Sequence, residues 1–196
     1  MKAKFLTRIL TALAACSLAI TAFAAVDTKS LSAKKQTKLG LYMTAQEAYG
    51  AATSNSGDVV LIDIRSRAEV NFLGMPTVAD ANIPYMDLGE FAKFDEKKGH
   101  YKLDVNSHFA ERVAKLLTSK GLDKNATIIL MCRSGSRSAK AANLLADLGY
   151  KNVFSVVDGY EGDKAKDGAF AGQRVVNGWR NSKLPWTYKL DKSKLL

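Results

Sequence analysis

The sequence predicts an α/β domain in which a central parallel sheet is flanked by helices. Short apolar runs at residues 59–62, 127–131 and 152–157 are typical of strands buried on both faces. Helical patterns lie between these runs, and the alternation of strand, helix and strand favours parallel pairing. A chain of 196 residues, 47% of them apolar, is long enough for one such domain with additional segments.

The first 24 residues predict a signal peptide. Lys2, Lys4 and Arg8 precede an apolar stretch at residues 9–20, which is too short for a stable membrane span, and small residues at 22–24 fit a cleavage site. We therefore expect an exported bacterial protein that is periplasmic or secreted. Because Cys16 follows Leu-Ala-Ala, a lipoprotein processed at Cys16 is the alternative.

The next elements follow from caps and apolar runs. Residues 25–42 are rich in lysine, serine and threonine and predict a linker or N-terminal arm. Thr44 and Glu47 form a capping box, which predicts a helix starting at Ala45. The apolar run 59–62 predicts the first long strand.

The middle of the chain predicts a polar excursion followed by a helix. Residues 87–106 are longer and more polar than a minimal domain needs. Asn106 or Ser107 is expected to cap a helix that ends near Gly121. One face of that helix is apolar and consists of Phe109, Val113, Leu116 and Leu117.

Cys132 occupies the most informative position in the chain. It ends the strand predicted at 127–131, and an apolar helical pattern follows from Ser138 to Gly149. Free N–H groups and the positive end of a helix attract anions there. Arg133 and Arg137 add positive charge, and such surroundings favour the thiolate, which is the nucleophilic form.

These motifs resemble the rhodanese family of sulfurtransferases. Cys132 and Arg137 bracket four residues, as in the active-site loop of that family, whereas related cysteine phosphatases have one more. Asp63 and Arg65, followed by Glu69, resemble its Asp-x-Arg signature. The resemblance implies a single rhodanese-like domain of three layers over residues 43–188.

Two insertions and a tail complete the predicted organisation. The insertions are expected near residues 87–106 and 161–176, and residues 189–196 form the C-terminal tail. The Gly-His that usually follows the second signature is missing, since Gly74 precedes Met75 and Pro76. A Gly and Trp at 178 and 179 resemble the closing pattern of the family, and Trp179 is expected to pack in the core.

The resemblance implies a ping-pong transfer of sulfane sulfur from thiosulfate or a related small anion. Cys132 would carry the persulfide, Asp63 and Arg65 would support the loop, and the acceptor would be a thiol, cyanide or a protein. No cofactor or metal is implied. Donor binding is assigned to the residues that follow the cysteine, namely Arg133, Ser134, Gly135, Ser136, Arg137 and Ser138.

Two other functions remain open from the sequence. The first is a module that binds persulfide and relays it to a partner protein, with little turnover of small molecules. The second is a phosphatase or arsenate-type enzyme, which the short spacing between Cys132 and Arg137 disfavours.

The charge and the histidine content restrict the remaining functional classes. The formal net charge is +10, and the leader contributes three of these positive charges. A basic surface attracts anions, but the chain has no nucleic-acid-binding motif. His100 and His108 lack the spacing of a zinc site and are expected on the surface.

Overall fold

A computed structural model describes residues 26–54 and 57–196 of the chain. The strands are β1 (Tyr42–Met43), β2 (Val59–Asp63), β3 (Met75–Pro76), β4 (Ala81–Asn82), β5 (Met86–Asp87), β6 (Phe94–Asp95), β7 (His100–Tyr101), β8 (Asp104–Val105), β9 (Thr127–Met131), β10 (Val153–Val156) and β11 (Trp186–Thr187). The helices are α1 (Ala45–Thr53), α2 (Arg67–Leu73), α3 (Phe109–Ser119) and α4 (Ser136–Asp147).

The centre of the molecule is a five-stranded sheet in the order β1, β10, β9, β2, β4. Every neighbouring pair in it is parallel. The two long apolar runs therefore lie side by side, with Val59 opposite Thr127 and Asp63 opposite Met131. The predicted α/β class and parallel sheet are confirmed.

Side chains on the central strands alternate between two apolar cores. Ile62 and Leu130 face one core, which contains residues of α3 and α4, while Leu61 faces the other, which contains residues of α1 and Trp179. This alternation is the two-residue period of a strand. Burying each such side chain stabilises the fold by about 1.5–3 kcal/mol. Trp179 is fully buried, in agreement with its predicted core role.

The caps were predicted with mixed success. Thr44 and Glu47 form the predicted capping box at the start of α1. The α3 helix begins at Phe109 and its N-cap is His108, so neither predicted residue occupies that position. Asn106 instead forms the turn before the helix, where its side chain accepts a hydrogen bond from the His108 N–H (3.0 Å).

The two predicted insertions lie outside the main sheet. In the first, β5 pairs with β8 and β6 with β7, so the segment is an antiparallel excursion, and Phe91 in the connection from β5 to β6 is 87% exposed. In the second, isolated bridges join Lys164 to Arg174 and Ala165 to Ala171.

Both ends of the described chain pack on the domain. The predicted arm contains two 3-10 turns, and its Lys35 is buried against Asp163 of the second insertion (2.8 Å). In the tail, the Leu196 N–H donates to the Asn82 carbonyl oxygen (3.0 Å). The predicted signal peptide and Cys16 lie outside the described residues. Within residues 26–54 and 57–196, no helix is long and apolar enough to span a membrane.

Candidate active site

Cys132 follows the last residue of β9 directly and lies at the carboxyl end of the central strand. Only 1% of its surface is exposed. Its Sγ accepts a hydrogen bond from the Gly135 N–H (3.2 Å) and lies 3.6 Å from the Ser138 hydroxyl. The loop therefore curls around the sulfur and returns to it within a few residues.

The loop turns into α4 at Gly135. This residue is the N-cap, has the left-handed conformation (φ 93°), and makes the sharp turn that starts the helix at Ser136. The sequence predicted a start at Ser138, because the apolar periodicity becomes visible only farther along the chain. The earlier start places Ser136, Arg137 and Ser138 in the first helical turn.

The segment after β10 holds the carbonyl groups of the Cys132 loop. The Tyr160 N–H donates to the Cys132 carbonyl oxygen (2.8 Å), and the N–H groups of Glu161 and Gly162 donate to that of Arg133 (3.0 and 3.3 Å). Gly159 permits this close approach, since a Cβ there would lie 2.5 Å from the Cys132 oxygen. The carbonyl groups are thus engaged away from the sulfur.

The N–H groups of the loop are available to an anion. Those of Arg133 and Ser134 have no acceptor among residues 26–54 and 57–196, and those in the first turn of a helix have none within the helix. The positive end of the α4 dipole adds to their effect. Ser134 and Ser136 are partly exposed, so the cradle opens to solvent on that side.

A chain of buried hydroxyl groups lies behind the sulfur. Ser155 of β10 donates to Ser138 Oγ (2.9 Å), and the Ser138 hydroxyl donates to the Gly135 carbonyl oxygen (2.9 Å). Both serines are fully buried. Sequence reasoning missed Ser155, although a polar residue among the apolar residues of β10 was a signal for it.

The two arginines of the loop have different environments. Arg137 forms a two-pronged ion pair with Glu69 (2.6 Å for each bond), and 13% of its side chain is exposed. Arg133 is 47% exposed, and its Nε lies 3.9 Å from Glu161. The guanidinium of Arg137, which the sequence assigned to the donor, is therefore engaged by Glu69.

The Glu69 carboxylate is strongly stabilised in its charged form. Burial by itself raises the pKa of Glu69, but the hydrogen bonds and charge of Arg137, together with bonds from Ser66, lower it to about 2. Ser66 and Glu69 also form a capping box on α2. One carboxylate thus fixes the start of α2 and the first turn of α4.

Asp63 and Arg65 lie beneath the loops and have no exposed surface. Arg65 Nη2 donates to Asp63 Oδ2 (2.6 Å) and to the Gly74 carbonyl oxygen (2.7 Å), while its guanidinium stacks 3.6 Å from the centre of the Tyr160 ring. Asn82 donates to the carbonyl oxygens of both Asp63 and Arg65. The network joins the end of β2 to Gly74 and β4, and the stacked Tyr160 ring connects it to the segment that is hydrogen-bonded to Cys132.

The described residues contain no group of side chains suited to a metal ion. His100 and His108 are exposed, as predicted. A groove of about 600 Å³ lies between the arm and the second insertion, but none of the residues 132–138 lines it. The site at Cys132 is therefore a shallow cradle of backbone groups, which suits a small anion.

A family model for the rhodanese-like domain matches residues 44–166. The chain belongs to the rhodanese-like family. Rhodanese domains are generally sulfurtransferases that interact with a sulfur donor and a sulfur acceptor. The predicted rhodanese-like fold and single-domain membership of this family are confirmed.

Other proteins share the same domain. The RP600 protein of Rickettsia prowazekii (strain Madrid E) and its homolog in Rickettsia rickettsii are each 28% identical over 142 residues, which cover 72% of this chain and 93% of theirs. The crystal structure of Rv0390 from M. tuberculosis is 26% identical, with a TM-score of 0.53. The match covers 75% of this chain and 96% of that one.

Proposed function

We propose that this rhodanese-like protein is a sulfurtransferase that carries sulfane sulfur as a persulfide on Cys132. The main support is the geometry at the sulfur, where the Gly135 N–H points at Sγ from 3.2 Å at the start of α4. Further N–H groups of the loop are available beyond the sulfur. Preorganised donors of this kind stabilise a developing negative charge.

In the first half-reaction, the Cys132 thiolate attacks the outer sulfur of thiosulfate. A bond forms between Sγ and that sulfur, the S–S bond of the donor breaks, and its electron pair leaves with sulfite. The terminal sulfur of the persulfide carries the negative charge and is held by the N–H groups of the loop. A thiol, cyanide or protein thiolate then attacks this sulfur and restores the Cys132 thiolate.

The acceptor must come from another molecule once the leader is removed. The chain has two cysteines, and Cys132 alone lies beyond the predicted signal peptide. A second thiol that would take the sulfur within the mature chain is therefore missing. We propose that the mature protein is exported, and an intact mass that starts at Ala25 rather than at an acylated Cys16 would support this.

The test is the detection of a persulfide on Cys132. After incubation with thiosulfate, the intact protein should gain the mass of one sulfur atom, and cyanide should remove it and release thiocyanate. Cys132→Ser should abolish the gain, whereas Cys16→Ser in the full chain should leave it unchanged. If neither thiosulfate, polysulfide nor a low-molecular-weight persulfide loads Cys132, the carrier function is rejected.

A relay role is the second candidate, and exposed apolar side chains on the insertions favour it. Phe91 is 87% exposed and Phe170 is 58% exposed, and a partner protein that covered these rings would remove apolar surface from water. In a relay, transfer from Cys132 to a protein thiol would be fast while turnover with cyanide stayed slow. Comparable rates with both acceptors would favour the enzyme.

A phosphatase or arsenate-type activity is disfavoured by the short loop and by Glu69. The Arg137 guanidinium is bound by this carboxylate and is not free to bind a phosphoryl group. We expect no hydrolysis of an aryl phosphate that depends on Cys132.

A further inference from the structure

Strong binding of a donor with two negative charges would require a second cation near the exposed Arg133. Arg137 is less suited to this role, because Glu69 engages two of its five N–H donors and compensates its charge. Glu161 compensates the charge of Arg133 only weakly, since the contact between them is long (3.9 Å) and partly solvated. We therefore looked for another cation held against the same loop.

Arg174 of the second insertion is connected to this loop through a single residue. Its Nη1 donates to the Gly162 carbonyl oxygen (2.5 Å), and the Gly162 N–H donates to the Arg133 carbonyl oxygen (3.3 Å). The backbone of Arg174 is also held, because Asn181 Nδ2 donates to its carbonyl oxygen (3.1 Å). The guanidinium is thus held by the segment that is hydrogen-bonded to the backbone of Arg133.

Burial and charge distinguish Arg174 from its neighbours in the insertion. Lys164 and Lys166 are exposed, whereas Arg174 is half-buried. Burial and the nearby charge of Arg133 lower the pKa of Arg174, while Glu161, Asp163 and Cys132 act in the opposite direction. Arg174 is therefore within electrostatic reach of both Arg133 and the nucleophile.

The charges of Arg133 and Arg174 repel each other, and Glu161, 3.9 Å from Arg133, offsets part of this positive potential. An anion that reached both guanidinium groups would be attracted by the remainder. Each guanidinium presents a planar fork of N–H donors that matches the geometry of oxyanions. An anion placed between them relieves their repulsion and forms charge-assisted hydrogen bonds. The net positive charge of the chain would draw such an anion to the site.

We propose that Arg174 and Arg133 together bind the oxyanion end of the sulfur donor while Cys132 attacks its outer sulfur. This inference rests on the proposed sulfurtransferase function and adds to it a residue of the second insertion that binds the oxyanion end of the donor. When the S–S bond of the donor breaks, Arg174 and Arg133 receive the sulfite or sulfinate that leaves with the electron pair. Arg174 thus selects donors that carry oxygen atoms on the leaving sulfur.

The test compares two donors that differ in charge. Thiosulfate carries two negative charges and benzenethiosulfonate carries one, and both transfer a single sulfur atom. Persulfide formation on Cys132 would be followed by mass spectrometry over a range of donor concentrations. The variants are Arg174→Gln, Arg174→Lys and, as a matched control that removes an exposed positive charge from the same insertion, Lys166→Gln.

We expect Arg174→Gln to raise the KM for thiosulfate about 10-fold, the loss of one charge-assisted hydrogen bond, with little change in the loading rate at saturation. The KM for benzenethiosulfonate should rise only about 2- to 3-fold, because its single negative charge interacts more weakly with Arg174. Arg174→Lys should recover part of the loss, and Lys166→Gln should change either KM by less than about 2-fold.

Two results would overturn the proposal. In the first, Arg174→Gln changes the KM for either donor no more than Lys166→Gln does. In the second, Arg174→Gln raises the KM for both donors by the same factor, as a purely structural role would. If the wild-type protein loads with neither donor, the proposed function fails instead. Sulfite binding by calorimetry then decides the role of Arg174: weaker binding to Arg174→Gln than to wild type supports the anion site, and equal binding refutes it.

Discussion

Glu69 and Arg137, which are 68 positions apart in the chain, form two parallel hydrogen bonds of 2.6 Å. The pair joins the start of α2 to the first turn of α4, the turn that follows the Cys132 loop. Because Glu69 also accepts bonds from Ser66, it fixes both helix starts at once. We therefore expect Arg137 chiefly to hold the loop in shape, and we expect Arg133 and Arg174 to bind the proposed donor.

This ion pair predicts a specific acid sensitivity. The pKa of Glu69 is about 2 in the folded protein and has an ordinary value of 4.5. A lowered pKa means that the stabilisation is complete above the unfolded value and disappears as the pH falls from about 4.5 toward 2. The loss in the free energy of unfolding should approach about 3 kcal/mol, which is the energy that corresponds to the difference between the two pKa values.

The measurement is the free energy of unfolding in urea from neutral pH down to about pH 3. Glu69→Gln should be less stable near neutrality, and its stability should fall less steeply with acid than that of the wild type. Glu111→Gln is the control, because it removes an exposed carboxylate that pairs with Lys115. Parallel profiles for wild type and Glu69→Gln would contradict the prediction.

Gly159 offers a test of how closely the loops must approach. Gly159 and Gly168 both have positive φ angles (65° and 73°), so alanine strains the backbone at either position. A Cβ at 159 would also lie 2.5 Å from the Cys132 carbonyl oxygen, whereas a Cβ at 168 meets nothing within 4 Å. A comparison of alanine at the two positions thus separates the effect of backbone strain from that of the steric collision.

We expect Gly159→Ala to lower the unfolding free energy by about 1–3 kcal/mol more than Gly168→Ala does. Because the collision moves the loop, persulfide loading of Cys132 should also slow by at least about 10-fold, as expected for a displaced reactive group. Gly168→Ala should load at the wild-type rate. Equal loading by the two variants would show that the contact with Gly159 does not shape the cradle.

Local signals explain which parts of the fold could be predicted. The β-branched runs that form β2 and β9 and the capping box at Thr44 depend only on neighbouring residues, and they appear in the structure as predicted. The position of Cys132 at the end of β9 follows from the same run. The start of α4 was placed too late because the helix begins with polar residues after Gly135.

Contacts between distant segments account for what the sequence did not show. The partner of Arg137 is Glu69, which the sequence assigned only to the second signature. Ser155 reaches the sulfur site because β10 lies beside β9 in the sheet. Arg174 is linked to the Cys132 loop through Gly162, which is hydrogen-bonded to Arg133. Ser155 left a local signal, a polar residue in an apolar strand, but no local pattern identifies the partner in any of these contacts.

The buried pair of Asp63 and Arg65 predicts strongly non-additive mutations. Both side chains have no exposed surface, and Arg65 Nε and Nη2 donate to the Asp63 carboxylate. Arg65→Met leaves a buried carboxylate without its partner and should cost about 3–5 kcal/mol of unfolding free energy. Adding Asp63→Asn removes that charge, so the double variant should be more stable than the sum of the two single changes predicts.

A double-mutant cycle measured by urea unfolding checks this coupling. Lys38 and Asp147 serve as the matched control, because they form an ion pair in which both side chains are more than half exposed. Their coupling should be below about 1 kcal/mol. A coupling between Asp63 and Arg65 that is no larger would mean that the pair contributes little to the support of the loop.

The contact between Lys35 and Asp163 links the N-terminal arm to the insertion that contains Arg174. Lys35 Nζ lies 2.8 and 3.0 Å from the two carboxylate oxygens, and 11% of its side chain is exposed, against 42% for Asp163. Solvent screens the ion pair on the Asp163 side, and we expect the contact to contribute about 1 kcal/mol to holding the insertion against the arm.

Local opening of the insertion should therefore increase when this contact is removed. Lys35→Gln should raise the rate of trypsin cleavage after Lys164 and Lys166 about 5-fold, the factor that corresponds to about 1 kcal/mol when opening is faster than cleavage. Lys34→Gln is the control, since Lys34 is exposed. Because Arg174 lies in the same insertion, Lys35→Gln should also raise the KM for thiosulfate. Equal cleavage rates in the two variants would show that the arm does not hold the insertion.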